Sequence, residues 1–191
     1  VKPGSISYHN IHGIVADGQW LWIGTHEHGI DVMNILTGKV VRHYGTSSKP
    51  HSLTSYFAVT LYRMRDGTIL VGTWNGLFQY NKKDDNFNFV SFFNSHIQTI
   101  HEAEDSTLWV GTYGDGVYYQ NKKKRLQGYI KHIAGKANSL SDNYVNNLYE
   151  DSKHTFWFCT ENGLNHYTPA DGKIKNYTTA DGLPDNQIFR I

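Results

Sequence analysis

One pattern of hydrophobic positions recurs four times along the chain. Adjacent apolar residues are followed by a small residue and a threonine, at Leu21–Thr25, Leu70–Thr73, Leu108–Thr112 and Phe156–Thr160. Successive small residues are 48, 39 and 48 positions apart, namely Gly24, Gly72, Gly111 and Cys159. Adjacent rather than alternating apolar positions predict a strand that is buried on both faces. The spacing predicts a repeat architecture.

Three further strands are predicted in every repeat. The first strands are expected at 10–15, 57–62, 97–101 and 144–149, each followed by a turn with aspartate before glycine or serine. Such turns join antiparallel strands in hairpins. The third strands are expected at 30–33, 77–80, 117–120 and 164–167, and the fourth at 40–44, 87–90, 126–129 and 174–177. Four antiparallel strands in about 40 to 50 residues predict an all-β fold, a β-propeller of about four four-stranded blades.

The repeats divide the whole of residues 1–191 into approximate blades. We predict blades at 7–48, 49–94, 95–137 and 138–180, with the start of a fifth blade at 181–191. The chain begins without methionine at a repeat boundary and stops inside the fifth unit. We therefore expect a fragment of a longer array, with the remaining blades of the parent propeller as partners. Exposed apolar faces on the first and last blades would favour self-association as a dimer.

Charge and composition narrow the classes of partner. Eighteen Lys and Arg against seventeen Asp and Glu leave a net charge of +1, so nucleic acid is not an expected partner, because binding it depends on neutralising phosphates. No apolar run approaches the roughly 20 residues that a membrane helix needs, so no membrane contact is expected. The single cysteine, Cys159, allows no internal disulfide. We expect it to be a small buried core residue.

Candidate binding residues lie in the loops that follow the second strands. In a propeller these loops emerge at one end together with the segments that enter each new blade. Aromatic rings beside amides and carboxylates could stack on sugar rings and hydrogen-bond their hydroxyls. The alternative is that these residues are turn formers and solvated loop residues. The candidates are His26, Glu27, His28, Trp74, Asn75, Tyr113, Asp115, Glu161 and Asn162.

Metal and catalytic chemistry find weaker support in the sequence. His26 and His28 are one residue apart, but no convincing third and fourth zinc ligand accompanies them. Glu27, Asp115 and Glu161 could face one channel, although glycosidase chemistry needs two carboxylates at a set separation. We therefore predict no metal, no cofactor and no catalytic residue in this segment.

These residues resemble the regulator-propeller repeat of bacterial hybrid two-component sensors, whose motif combines an acidic turn, a Leu-Trp-Ile-Gly-Thr strand and a Gly-Leu-Asn-x-Tyr strand. The resemblance covers essentially the whole chain. Val71, Cys159 and the third strand at 118–120 depart from the motif. The motif is plainest at Leu21–Thr25, Leu108–Thr112, Gly163–Tyr167 and Asp181–Pro184.

The resemblance implies a periplasmic propeller in a sensor that detects oligosaccharides and signals to a histidine kinase. Our first hypothesis is accordingly a non-catalytic ligand-sensing segment with an oligosaccharide as ligand. The alternative is a protein-interaction scaffold that binds no small ligand, and a carbohydrate-active enzyme is a third possibility. Thermal-shift screening with oligosaccharides distinguishes the first two.

Overall fold

The computed structural model describes residues 3–46 and 51–191. Within these residues, sixteen strands form four separate four-stranded sheets, and in every sheet the strand order along the sheet follows the chain. The predicted all-β fold of propeller blades is confirmed. Across the described ranges, no helix has the length and apolar character needed to cross a membrane. The predicted boundary between the first two blades, at residues 48 and 49, lies outside the described residues.

The blades form two compact units, Val1–Ile97 and Gln98–Ile191. The first unit contains β1 (Ile11–Asp17), β2 (Trp20–Thr25), β3 (Ile30–Asn34), β4 (Lys39–Tyr44), β5 (Ala58–Arg63), β6 (Ile69–Thr73), β7 (Gly76–Asn81) and β8 (Asn86–Phe89). The third blade starts where the first unit ends, and the remaining strands are β9 (Ile97–Glu102), β10 (Leu108–Thr112), β11 (Val117–Asn121), β12 (Leu126–Ile130), β13 (Val145–Glu150), β14 (Phe156–Thr160), β15 (Gly163–Thr168) and β16 (Lys173–Tyr177). Every predicted strand is present, with ends that agree within two residues.

Each unit has its own hydrophobic core, formed where its two blades face each other. In the first unit Trp22 and Val71, from the second strands of the two blades, share one buried cluster. In the second unit Trp109 and Phe158 do the same. The doubly apolar second strands are therefore buried, as their pattern predicts. Trp157 differs because its side chain is half-buried and stacks on rings of its own sheet.

In the first three blades, the glycine before the final threonine of the second strand lies where a neighbouring backbone or side chain comes close. A Cβ atom on Gly111 would lie 2.6 Å from Thr99 Cγ2 and 2.9 Å from Val145 Cγ1. The third and fourth blades therefore approach closely at this position. In the fourth blade the position holds Cys159, which is free and fully buried. Burial raises the pKa of its thiol to about 11, which fits the predicted core role.

The acidic turn between β13 and β14 is fixed by the Asp151 carboxylate. It accepts hydrogen bonds from Thr155 Oγ1 at 2.6 Å and from Trp157 Nε1 at 3.1 Å. The backbone N–H groups of Lys153 and Thr155 also donate to it, at 2.9 and 3.1 Å. The hydrogen bond from Thr155, more than the others, holds the pKa of Asp151 well below its ordinary value.

Removing this carboxylate should destabilise the protein. We expect Asp151→Ala to lower the free energy of unfolding at pH 7 by about 1–2 kcal/mol, because several donors lose a charged acceptor. The pKa of Asp151 is depressed on folding, so its contribution is complete above the unfolded value of about 3.9 and is lost as pH falls through the folded value. Urea unfolding at pH 7 and near pH 2.5 should show the difference between wild type and variant shrinking in acid. Asp171→Ala is the control, because the Asp171 carboxylate lies in an exposed turn and contacts the backbone N–H and the Nζ of Lys173. An equal loss of stability in this variant would contradict the assignment.

Candidate functional site

The threonine that ends each second strand fixes the loop carrying the candidate residues. In all four blades its Oγ1 donates to the carbonyl of the glycine that begins or precedes the third strand, at 2.7–3.0 Å. The same oxygen accepts a backbone N–H from inside the loop. The loops are therefore short and internally bonded, and they can hold side chains in defined positions. The four threonines are Thr25, Thr73, Thr112 and Thr160.

Two of the candidates, His26 and Trp74, belong to one aromatic cluster in the first unit. The rings of Phe57 and Trp74 are stacked, with centroids 3.8 Å apart and an interplanar angle of 6°. His26 packs edge-on against Phe57 at 5.0 Å, and His12 lies 4.8 Å from His26. His96 lies 5.3 Å from Trp74 on a tilted plane. We call these five residues the aromatic cluster.

The aromatic cluster is partly open to solvent and carries imidazoles that favour the neutral form. Trp74 is 43% exposed. Burial, and then the nearby His26, lower the pKa of His12. Burial also lowers the pKa of His96. Because a neutral imidazole offers one donor and one acceptor, His12 and His96 add hydrogen-bonding groups that carry no charge near pH 7 to the flat apolar surface.

His28 lies in a separate group, and Glu27 lies beside both groups, because its Oε1 is 3.7 Å from His26 Nδ1. His28 stacks on Tyr8, with centroids 4.6 Å apart at 16°, whereas His26 packs on Phe57. A hydrogen bond to Glu27 raises the pKa of Tyr8. The two histidines of the His26-Glu27-His28 sequence therefore face different neighbours. Within residues 3–46 and 51–191, no group of three His, Cys, Asp or Glu side chains is arranged to hold a metal ion.

Asn75 has a turn-forming role in the first unit. Its backbone N–H donates to Thr73 Oγ1 at 3.1 Å, and its side-chain amide donates to the Thr54 carbonyl at 3.3 Å. Asn162 makes the equivalent backbone hydrogen bond to Thr160 Oγ1, at 3.3 Å. These contacts fit the turn-former interpretation of both residues.

In the second unit Tyr113 pairs with Tyr144. Their rings meet edge to face with centroids 4.5 Å apart, and the residues are 48% and 41% exposed. Tyr113 and Tyr144 stand 87 positions after His26 and Phe57, so the aromatic pair recurs at the equivalent place in each unit. This pair provides exposed flat surface at the loop end of the second unit.

The acidic candidates of the second unit have partners within the protein. Asp115 Oδ1 lies 3.2 Å from Lys131 Nζ. Glu161 accepts a hydrogen bond from Asn146 Nδ2 at 2.8 Å and another from the Gln187 amide. Both carboxylates are therefore tied to the framework.

Sequence reasoning missed the aromatic partners in the cluster. Phe57 and Tyr144 lie beside the first strands and His96 lies just before one, so they belong to a different segment from the loops. The sequence did carry a signal for these positions, because the same residue class recurs at a spacing of 87. His9 and His96 are 87 residues apart, and so are Phe57 and Tyr144. His12 lies at a register shift between Ile11 and Gly13, where the pairing of β1 with β2 is irregular. Such bulges re-aim side chains and leave little trace in sequence patterns.

Comparison with known proteins agrees with this architecture. Residues 91–114 and 139–162 match the two-component regulator propeller family. A histidine kinase of Formosa agariphila is 28% identical over 174 residues, which are 86% of this chain and 12% of the kinase.

Solved structures match over the full length of the chain. The extracellular domain assigned to a hybrid two-component system of B. thetaiotaomicron superposes with a TM-score of 0.80 at 26% identity, covering 100% of this chain and 25% of that one. The extracellular domain assigned to a one-component system of the same organism gives 0.78 at 18% identity, covering 100% and 26%, which shows the shared fold. This chain thus spans about an eighth of the kinase relative and about a quarter of each extracellular domain.

The fold and its repeated loops define a protein built of β-propeller blades. More particularly, two segments of the chain match the two-component regulator propeller family, and the chain is related to the extracellular domains of hybrid two-component sensors.

Proposed function

We propose that this chain is a non-catalytic ligand-sensing segment of the periplasmic propeller of a hybrid two-component sensor. We propose further that its ligand is an oligosaccharide, bound at the aromatic cluster. The observation that supports the proposal most directly is the stacked pair of Phe57 and Trp74 at 3.8 Å, with Trp74 43% exposed. A rigid flat surface of this kind suits the C–H face of a sugar ring.

The electrostatic character of the aromatic cluster favours a neutral ligand with many hydroxyls. The lowered pKa values of His12 and His96 leave both imidazoles uncharged near pH 7. Each can then donate one hydrogen bond and accept another. A sugar offers matching groups, and pockets use a few such polar contacts to fix a ligand on an apolar surface.

Signalling to a histidine kinase would follow from a population shift. Sugar binding would favour one arrangement of the sensor over another only by the difference in affinity between the two. The observed relation to a histidine kinase and to an extracellular sensor domain supports this part of the proposal.

Replacing Trp74 should remove the response to the sugar. A ligand at a hundredfold its Kd stabilises the protein by about 2.7 kcal/mol, which is roughly 5–10 °C in Tm for a chain of this size. We expect an oligosaccharide panel to contain at least one sugar that produces such a shift with the wild type and almost none with Trp74→Ala. Differential scanning fluorimetry and isothermal titration calorimetry measure both quantities.

The matched control is Trp20→Ala, because Trp20 begins β2 at the end opposite to His26. Its sugar-induced shift should equal that of the wild type, whatever its own Tm. If no sugar shifts the wild type and a partner protein binds instead, the oligosaccharide proposal is wrong and the interaction scaffold is favoured. Formation of a sugar product would instead favour the enzyme alternative.

A further inference from the structure

A second candidate binding site lies between the third and fourth blades, within the second unit. A cavity of about 550 Å³ opens there, and its apolar lining comprises Trp109, Tyr119, Leu126, Phe156, Tyr167 and Pro169. The rings of Trp109 and Phe156 are 4.3 Å apart and the residues are only 5% and 3% exposed. The volume is within the range of small-molecule pockets. No residue from the loops that follow the second strands lines this cavity.

Three carboxylates line the same cavity, from Glu104, Asp105 and Glu150. Burial alone would raise the pKa of Glu150, but hydrogen bonds from His101, from His154 and from the backbone N–H of Glu104 keep it below its ordinary value. The carboxylate of Glu150 therefore remains ionised near pH 7.

One ammonium and two imidazoles lie beside these carboxylates. Lys124 Nζ lies 2.7 Å from Asp105. His154 lies 3.0 Å from Glu150 and 3.2 Å from Glu104, and His101 lies 3.0 Å from Glu150. A hydrogen bond to Glu150, and then the charge of Glu104, raise the pKa of His154. Counted with Lys124 and a protonated His154, the three carboxylates still exceed these two cations by one charge.

The first unit has a cavity at the equivalent place between its own two blades. Its volume is about 690 Å³, and its lining includes the three cationic side chains Arg42, Arg63 and Lys82. Arg63 Nε is 2.8 Å from Asp17 Oδ1, and the Arg42 guanidinium lies 5.7 Å from the centroid of the Trp20 ring. In the first unit the protein itself places cations against acidic and aromatic groups.

The second unit keeps only part of the aromatic wall and of the acidic edge, because Trp20, Asp66 and Asp85 of the first cavity correspond to Thr107, Lys153 and Gly172. Residues 87 positions apart correspond in the two units, as Gly24 and Gly111 do. The tryptophan is retained at positions 22 and 109, the tyrosine at positions 80 and 167, and an acidic residue at positions 17 and 104.

The cationic side chains are not retained. Arg63 corresponds to Glu150, and Lys82 corresponds to Pro169. Arg42 pairs with Val32 across β3 and β4, while Gly128 pairs with the equivalent Tyr119 across β11 and β12. Arg42 therefore corresponds to Gly128, and all three cationic positions of the first cavity hold other residues in the second.

We propose that the cavity of the second unit binds a small organic cation with an aromatic or alkyl body. The ammonium or amidinium group lies near Glu104 and Glu150, and the body packs against Trp109 and Phe156. Charge-assisted hydrogen bonds to carboxylates and contact of a cation with aromatic faces stabilise such a ligand. The ligand adds a cation to the cavity, whose counterpart in the first unit is lined by Arg42 and Arg63.

The probe for this site is 2-phenylethylammonium, tested on the full chain by tryptophan fluorescence and calorimetry. For a ligand of this size we expect a Kd on the order of 1 mM or tighter. The neutral analogue 2-phenylethanol and the bodiless cation methylammonium should each bind about tenfold more weakly, since each lacks one of the two contacts. Equal binding of the cation and the alcohol, or no binding of the cation, would overturn the proposal.

Four variants test whether the cation binds in this cavity. Glu150→Gln and the more exposed Glu104→Gln should each weaken binding of 2-phenylethylammonium several-fold, whereas Glu161→Gln, at the loop end of β14, should leave it unchanged. His154→Gly introduces the residue that the first unit has at the equivalent position, Gly67. This substitution removes the imidazole from Glu104 and Glu150, so 2-phenylethylammonium should bind more tightly. A loss of affinity in His154→Gly, or an equal loss in Glu161→Gln, would contradict the site. Sugar binding at the aromatic cluster is measured separately, so the two proposals can fail independently.

Discussion

Phe158→Ala should lower the free energy of unfolding by about 3–5 kcal/mol, because a fully buried aromatic ring is removed and the surroundings relax only partly. Phe158 is 0% exposed in β14 and packs with Trp109, Phe156 and Tyr167 in the core of the second unit. This corresponds to a drop in Tm of roughly 6–20 °C for a chain of this size. Urea and thermal unfolding followed by circular dichroism give both values.

The matched control is Phe189→Ala, because Phe189 lies in the same unit but is 65% exposed. A surface substitution of this kind should change the stability by no more than about 0.5 kcal/mol. If the two variants lose the same stability, burial between the third and fourth blades is not what makes Phe158 important. A large loss confined to Phe158→Ala supports the packing of second strands between blades.

Gly116→Ala should cost about 2–5 kcal/mol for two additive reasons. Gly116 has φ +75°, in the left-handed region that costs an L-residue about 1–2 kcal/mol. A Cβ atom there would also collide with the backbone carbonyl of Ile130 and lie 3.2 Å from Lys131 Cα, and overpacking of this kind adds about 1–3 kcal/mol. The collision involves backbone, so no side-chain rotation relieves it.

Gly135→Ala separates the two contributions. Gly135 has φ +76°, almost the same backbone conformation, but nothing lies within 4 Å of the position its Cβ would occupy. Gly135→Ala should therefore lower the free energy of unfolding only by the cost of the left-handed backbone conformation, about 1–2 kcal/mol. Chemical denaturation of both variants gives the difference directly. Equal losses would show that the approach of the β12 end to the loop after β10 contributes nothing.

The 87-residue relation between the two units explains how similar blades carry different chemistry. The core positions of the two units correspond, as with Trp22 and Trp109, because each must fill the space between two sheets. Side chains at the blade ends face less packing constraint, so His26 corresponds to Tyr113 and Arg63 to Glu150. Each unit therefore presents its own binding surfaces on a shared framework.

The candidate site was predictable only in part. His26 and Trp74 were recognised from the loops that follow the second strands, and they do share the aromatic cluster. His28 was predicted beside them but stacks on Tyr8, because neighbouring loop residues leave the backbone in different directions. The partners Phe57 and His96 come from other segments of the chain, and ring contacts between segments depend on how strands enter the sheet. The predicted dimer and the blade boundaries stay predictions.

The sequence by itself determined the sixteen strands, their antiparallel order and the burial of the second strands, because adjacent apolar residues and Asp-Gly or Asp-Ser turns act locally and recur four times. Only the tertiary structure decided which side chains meet. The stacking of Phe57 on Trp74, the neighbouring of Glu104 and Glu150 and the half-buried state of Trp157 depend on contacts between distant segments. Such contacts arise from the packing of one sheet on another and from bulges in the first strands, which repeat spacing does not record.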